Sequence, residues 1–214
     1  TIAINSISVD SGSSSSDFIT SDNNGLTVSA TLSSTLTSGE ILQYSNDNGS
    51  SWIDASLSVS GTAITHTDTT LTSSNTIQFR VTDAAGNSGS ASSQAVVIDT
   101  TAPNAPSITS ITDDTTPLTG TVASGATTND TSLLISGTAE ANSTITVYDG
   151  STNLGTATAD SSGVWSYSAS GLADATSYSF NATATDAAGN TSSASNNYSV
   201  SINTAYHSAI ELAS

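Results

Sequence analysis

The chain has 214 residues, with 18 Asp or Glu against one Lys or Arg, and its formal net charge is −17. Nucleic acids and anionic membranes recruit proteins through basic patches, so this composition argues against both as partners. Cysteine is absent, which excludes disulfides and thiolate metal sites, and no apolar run approaches the ~18 residues of a membrane-spanning helix, which predicts no membrane insertion.

Short segments in which apolar and polar residues alternate run through the first half of the chain. Alternation with a period of two predicts β-strands, and frequent Gly, Asn and Asp predict the turns between them. The predicted strands are 2–9, 26–32, 41–45, 51–54, 56–60 and 63–67. A β-hairpin over 77–98 follows, with Phe79 and Val81 on one face.

A linker that contains two prolines divides the chain. Pro103 and Pro106 stiffen the backbone and remove hydrogen-bond donors from it, and we therefore place the linker at 99–106. The predicted domains are 1–101 and 102–205, and a C-terminal tail follows at 206–214.

The second half repeats the pattern of the first. Its predicted strands are 107–111, 132–139, 144–148, 154–159 and 164–168, followed by a hairpin over 178–202. The hexapeptide TDAAGN stands in both hairpins, at 82–87 and 185–190, and Leu172 precedes Tyr178 in the spacing of a tyrosine corner. About seven short strands per copy, with no helical stripe, predict an all-β chain of two tandem immunoglobulin-like β-sandwich domains arranged end to end.

The carboxylates of the chain have almost no basic partners, and a hard divalent cation such as calcium is a suitable counter-charge. The candidate ligands lie in predicted loops and turns and are Asp10, Asp17, Asp22, Asp99, Asp113, Asp114, Asp130, Glu140 and Asp186. In an Ig-like sandwich, the first loop of domain one and the hairpin turn of domain two would both face the linker, which predicts calcium at the junction. The alternative for each aspartate is a turn residue that caps its own backbone.

The octapeptide SNDNGSSW at 45–52 fits the Asp-box pattern of sialidases. An Asp-box is a hairpin turn, in which Asp47 would hold the backbone and Trp52 would pack inward. Sialidase chemistry also needs several arginines, whereas Arg80 is the only one in this chain. The motif therefore predicts a structural turn, and we predict that the chain is not an enzyme.

Two further features suggest chemistry but favour a structural interpretation. His66 and Asp68 with a serine could form a hydrolase triad, but the chain holds so many serines that the match has no weight, and surface positions are favoured for His66 and His207. Trp52 and Trp165 could stack on a sugar, although buried core positions are favoured for both indoles.

Three segments together resemble the bacterial Ig-like repeats of giant secreted adhesins, such as biofilm-associated proteins and RTX adhesins. They are VDSGSSSSDFITSDNNGLTVSA at 9–30, IDTTAPNAP at 98–106 and the segment 127–192, which begins TTNDTSLLISGTAEANSTITVYDG. The resemblance implies a secreted, monomeric extender at the bacterial cell surface, placed between an anchor and a distal ligand-binding region. It implies neighbouring Ig-like repeats of the same chain as partners and calcium at the domain junctions.

Three functions stay open. The first is a calcium-rigidified spacer that serves cell adhesion or biofilm formation. The second is a module that itself contacts a glycan or a cell surface, which an exposed aromatic platform or a deep pocket would favour. The third is an accessory module of a secreted glycosidase.

Overall fold

The computed structural model describes residues 1–116 and 118–205. The predicted tail at 206–214 and His207 lie outside the described residues. Backbone contacts divide the chain into two compact units, of which the first is Thr1–Thr101 with Ala187–Asn190 and the second is Ala102–Asp186 with the residues from Thr191 onward. Within the described ranges, no helix has the length and the apolar character needed to cross a membrane.

The first unit contains two β-sheets. Its strands are β1 Ile2–Ile7, β2 Ile19–Thr20, β3 Leu26–Leu32, β4 Ile41–Ser45, β5 Ile53–Asp54, β6 Val59–Ser60, β7 Ala63–Asp68, β8 Asn75–Thr82 and β9 Ser92–Ile98. One sheet has the order β1-β3-β7-β6, and the other has the order β2-β9-β8-β4-β5. Strand β2 lies parallel to β9, whereas β8 runs antiparallel to both of its neighbours.

The second unit also contains one four-stranded and one five-stranded sheet. Its strands are β10 Ser107–Asp113, β11 Gly120–Val122, β12 Ala126–Thr128, β13 Ser132–Thr138, β14 Thr144–Asp149, β15 Thr152–Thr158, β16 Val164–Ser170, β17 Thr176–Thr185 and β18 Tyr198–Ile202. The two sheets have the orders β11-β10-β13-β16 and β12-β18-β17-β14-β15. Strand β12 is parallel to β18, as β2 is to β9. These strand orders are those of an immunoglobulin-like sandwich.

Alternate residues of the facing strands form a separate core in each unit. In β3, Leu26 and Val28 are fully buried, and Phe79 of β8 contributes from the opposite sheet to the same core. In the second unit, Ile135 of β13 and Phe180 of β17 have the corresponding roles. The predicted all-β fold with immunoglobulin-like sandwiches is therefore confirmed, because the period of two places one apolar face of each sheet inside.

The tyrosine corner of the second unit is present as the sequence predicts. The Ala173 N–H donates a hydrogen bond to the Tyr178 hydroxyl at 2.7 Å, and Leu172 is buried beside it. In the first unit Leu71 and Ile77 are both buried. The leucine is thus buried in both copies, whereas the hydrogen bond to the tyrosine hydroxyl is formed in the second copy.

The predicted strand at 56–60 is wrong. Residues Ser56–Ser58 form a 3₁₀ turn, and only β6 is extended. The Ser56 N–H donates to Asp54 Oδ1 at 2.8 Å, and the Ser58 N–H donates to the Ala55 carbonyl at 2.9 Å. A local acceptor of this kind competes with the β-ladder, which explains why the alternating sequence does not form a longer strand.

The predicted surface position of His66 is also wrong. His66 lies on the buried face of β7 with Ile64 and Asp68, and its ring centroid is 4.3 Å from that of Tyr44. Burial lowers the pKa of His66, and the nearby Asp68 carboxylate opposes this change. The alternation of β7 was the available signal, because it places every second residue inside.

Candidate functional site

The loops before β3 and before β13 share a hydrogen bond from an aspartate N–H to a threonine hydroxyl. The Asp22 N–H donates to Thr20 Oγ1 at 3.0 Å, and the Asp130 N–H donates to Thr128 Oγ1 at 3.1 Å. Thr20 and Thr128 are both buried, and they are the last residues of the short strands β2 and β12. Sequence reasoning missed these threonines, although Thr-x-Asp stands shortly before β3 in the first copy and before β13 in the second.

Two carboxylates come together in the loop between β1 and β2. The Asp17 side chain lies beside that of Asp10, and the Phe18 N–H donates to Asp10 Oδ2 at 3.1 Å. Asp10 Oδ1 is buried and has no hydrogen-bond partner. Burial raises the pKa of Asp10 and the Asp17 carboxylate raises it further, while the Phe18 N–H acts in the opposite direction. A cation would satisfy the unpaired oxygen and relieve the repulsion.

Two further candidate carboxylates, Asp113 at the end of β10 and Asp130 in the loop before β13, are satisfied by hydrogen bonds from the chain itself. Asp113 and Asp130 are 1% and 3% exposed. Asp113 accepts hydrogen bonds from Thr128 Oγ1 and from the Thr115 N–H, and Asp130 accepts from two backbone N–H groups at 2.7 and 3.2 Å. Asn129 Oδ1 is the buried acceptor of this loop that lacks a partner. These carboxylates therefore act first as caps of their own loop.

The remaining candidate ligands are Asp22, Asp99, Asp114, Glu140 and Asp186, and two of them cap turns. Asp22 and Asp99 each accept a hydrogen bond from the backbone N–H two residues further on, at 3.0 and 2.9 Å. Asp114 and Glu140 are exposed, and Asp186 is buried. The capping contacts match the alternative given by the sequence, in which aspartate is an ordinary turn residue.

Calcium remains a prediction for this chain. In the part of the chain that the structure describes, no three His, Asp or Glu side chains form a group that could hold a metal ion. Calcium takes about six to eight oxygens and accepts backbone carbonyls and waters among them. Asp10 and Asp17 therefore fit calcium as two of its ligands, and the orphaned Asp10 Oδ1 is the observation that supports this fit.

The first copy of TDAAGN is a turn closed by its own aspartate. Asp83 Oδ1 accepts from the N–H groups of Ala85 and Asn87 at 2.9 and 2.8 Å, and Asn87 Nδ2 donates to Asp83 Oδ2 at 2.9 Å. The Asn87 amide lowers the pKa of Asp83. The motif thus needs aspartate at its first turn position for local reasons, and small residues permit the tight chain reversal.

The match to a known family falls on the second unit. Residues 104–204 match the bacterial Ig-like domain family. This part of the chain is similar to bacterial Ig-like domains. The match ends where β18 ends and begins at the linker, so that it contains both sheets of the second unit.

Three solved structures are similar to the chain at low sequence identity. The BSP domain of a biofilm associated protein is 19% identical with a TM-score of 0.31, and the match covers 86% of this chain but spans only 28% of that one. The fibronectin(III)-like modules of Clostridium thermocellum CbhA are 13% identical with a TM-score of 0.49, and coverage is 95% and 94%. The human OSCAR ligand-binding domain is 11% identical with a TM-score of 0.42, covering 84% and 92%. No curated protein matches the chain.

The first unit carries the Asp-box in the turn after β4. Asp47 accepts hydrogen bonds from the Ser51 hydroxyl at 2.6 Å, from the Ser51 N–H at 2.9 Å and from the Ser45 hydroxyl at 2.7 Å. Asp47 thus holds the turn, as the sequence predicts. The inward position predicted for Trp52 is wrong, because its half-buried ring lies under the Arg80 guanidinium at 3.9 Å. Trp165 is buried in the core, 2% exposed.

The Asp47 turn predicts a defined pH effect. Hydrogen bonds from Ser51 and Ser45 lower the pKa of Asp47 from 3.8 to about 2. Because the folded pKa lies below the unfolded one, ionised Asp47 stabilises the fold above the unfolded pKa, and this contribution is lost as the pH falls towards the folded value. We expect the melting temperature of Asp47→Asn to fall less between pH 5 and pH 2 than that of the wild type.

Ser51→Ala provides the second variant for this measurement, because it removes the hydroxyl that lowers the pKa most. Its pH dependence should lie between those of the wild type and Asp47→Asn. Parallel melting profiles for all three proteins across this pH range would contradict the assignment.

The hydrolase triad considered from the sequence is not assembled. Ser58 Oγ lies 3.0 Å from His66 Nδ1. The Asp68 carboxylate, however, accepts hydrogen bonds from the Tyr44 hydroxyl at 3.0 Å and from Asn46 Nδ2 at 2.7 Å. No hydrogen bond joins Asp68 to His66 in the described residues, so the carboxylate does not orient the imidazole as a triad requires.

Proposed function

We propose that this chain is an extender segment of a larger secreted protein at the bacterial cell surface. The observation that carries the proposal is the duplication: each unit pairs a four-stranded with a five-stranded sheet, and residues 104–204 match the bacterial Ig-like domain family. A repeated sandwich increases the length of a protein without adding a new site, because each copy has its own core. The extender would hold a distal adhesive region away from the cell.

Calcium is part of the proposal. Asp10 and Asp17 share a loop, and one buried carboxylate oxygen lacks a partner there. Loops of a secreted domain meet millimolar calcium, at which sites with dissociation constants of about 10⁻⁴ to 10⁻³ M fill. The ion would tie the β1–β2 loop to a single conformation and stiffen the first unit, and the backbone carbonyls and waters around the loop would supply the remaining ligands.

A replacement experiment in the full-length protein tests the extender function. The residues of this chain are exchanged for two unrelated Ig-like sandwiches in one variant and deleted in another. We expect the exchange to retain adhesion of the producing cells and the deletion to reduce it, because an extender supplies length rather than recognition. If the exchange abolishes adhesion as completely as the deletion does, the chain contributes recognition, and the extender proposal is wrong.

A further inference from the structure

Arg80 is the single Lys or Arg of the chain, against 18 acidic residues, and it pairs with none of the acidic side chains that the structure describes. Its contacts there are a hydrogen bond to Gln43 and the Trp52 ring. In so acidic a protein, an arginine that serves only the internal charge balance would be expected beside a carboxylate. The position of Arg80 therefore needs another explanation.

The Arg80 guanidinium is held in a fixed orientation. Its Nε–H donates to Gln43 Oε1 at 2.8 Å, and its central carbon, Cζ, lies 3.9 Å from the centroid of the Trp52 ring. Gln43 Oε1 also accepts from the Thr82 hydroxyl at 2.9 Å, which fixes the acceptor in turn. These contacts use one of the five N–H donors of the guanidinium, and the terminal nitrogens keep the fork that matches a carboxylate.

The side chains around Arg80 share the outer face of the first unit's larger sheet. Gln43 of β4 stands directly opposite Arg80 of β8, and Gln78 lies two residues before Arg80 on the same face. Gln78 Nε2 donates to Asn48 Oδ1 at 3.1 Å, which positions a second amide beside the turn. The face thus combines a half-buried indole, two glutamine amides and one guanidinium, all held by internal contacts.

This combination is suited to a sugar that carries a carboxylate. Amides bind the hydroxyl groups of sugars, and the guanidinium, held against the Trp52 ring, binds a carboxylate with two parallel hydrogen bonds. Because the chain carries a net charge of −17, a ligand with many negative charges is repelled, whereas one carboxylate on a neutral glycan meets the single cation. We propose that the Trp52–Arg80 face binds a terminal acidic sugar on an otherwise neutral glycan.

Amide NMR of the whole chain tests the proposal, because its two reporters are easily distinguished. The chain has one arginine and two tryptophans, so the Arg80 Nε–H gives a single signal, and the buried Trp165 indole is an internal control for Trp52. The probes are sialyllactose and lactose, which differ in one carboxylated sugar, and chelator prevents calcium from bridging two anions. We expect sialyllactose at about 10 mM to shift the Arg80 and Trp52 signals, as a dissociation constant near 1 mM predicts, and lactose to shift neither.

Substitutions make the test specific. Arg80→Gln should abolish the Trp52 shift, and Arg80→Lys should weaken binding about tenfold, equivalent to about 1.4 kcal/mol, because lysine keeps the charge and loses the planar fork. Gln94→Ala on the neighbouring strand should bind like the wild type. The proposal is overturned if sialyllactose shifts neither signal, if lactose shifts both equally, or if Arg80→Gln retains the response. The wild-type comparison of the two sugars decides the question even if Arg80→Gln does not fold.

Discussion

Gly137→Ala is expected to destabilise the second unit by about 3 kcal/mol, the upper end of the usual range for overpacking. A Cβ atom on Gly137 would lie 1.9 Å from the Ser107 carbonyl oxygen and 2.5 Å from the Trp165 ring. The carbonyl belongs to the backbone of β10, and Trp165 is 2% exposed in the core, so neither can move away cheaply. Chemical denaturation followed by the fluorescence of Trp165 measures the effect.

Two variants show whether crowding is the cause. Gly89→Ala is the matched control, since the atom nearest to its Cβ is the Val81 oxygen at 3.6 Å, an ordinary contact, and it should change stability little. Adding Trp165→Phe to Gly137→Ala should recover part of the loss relative to the two single changes, because phenylalanine lacks the ring atoms that the Cβ meets. Circular dichroism reports unfolding in these proteins. If Gly137→Ala lowers the free energy of unfolding no more than Gly89→Ala does, β13 is not packed as closely as the structure indicates.

Packing of this kind also determines which elements the sequence could reveal. Strands β3 and β4 were predicted with their observed bounds, because β3 alternates apolar and polar residues over its whole length and β4 carries Leu42 and Tyr44 on one face. The strands β2, β11 and β12 were not predicted, because segments of two or three residues show no period. These short segments are strands because they pair with neighbouring strands, and that pairing exists only in the folded chain.

Outward-facing residues show a second limit of the sequence. A tryptophan is usually predicted to lie in the core because of its large apolar area, and Trp165 follows that expectation. Trp52 lies on the outer face, where the Arg80 guanidinium covers its ring. The contact joins two residues far apart in the sequence, and it becomes visible only when the register of β4 with β8 is known.

The aspartates were the least predictable part of the candidate site. Asp10 follows the first strand of one copy and Asp113 ends the first strand of the other, and the sequence predicts both as candidate ligands. In the structure a threonine hydroxyl and a backbone N–H satisfy Asp113, whereas Asp10 keeps one buried oxygen without a partner. Composition indicates that a counter-charge is needed, but only the local hydrogen bonds distinguish these two carboxylates.

Asp10→Asn is expected to change the stability of the first unit in opposite directions with and without calcium. Burial and the neighbouring Asp17 raise the pKa of Asp10, so that its ionised form costs stability as the pH rises through that pKa. In chelator at pH 7, the neutral asparagine removes this cost and keeps an acceptor for the Phe18 N–H, and the variant should melt at or above the wild-type temperature. In calcium, the wild type should gain roughly 2.7 kcal/mol at a hundredfold excess over the dissociation constant.

Most of that gain should be absent from Asp10→Asn, because the variant has lost a charged ligand and the repulsion that favoured the ion. Asp160→Asn is the matched control: Asp160 Oδ1 caps the turn after β15 by accepting from two backbone N–H groups at 2.8 and 2.9 Å, so its effect should be equal in chelator and in calcium. Differential scanning calorimetry in both conditions, with magnesium as a third, measures the changes.

Equal calcium increments in the wild type and Asp10→Asn would show that any bound ion lies away from the β1–β2 loop. Identical melting of the wild type in chelator and in calcium would show that calcium does not stabilise the chain. Magnesium should give a much smaller increment, since it requires a compact octahedral shell that the two carboxylates of the β1–β2 loop do not provide.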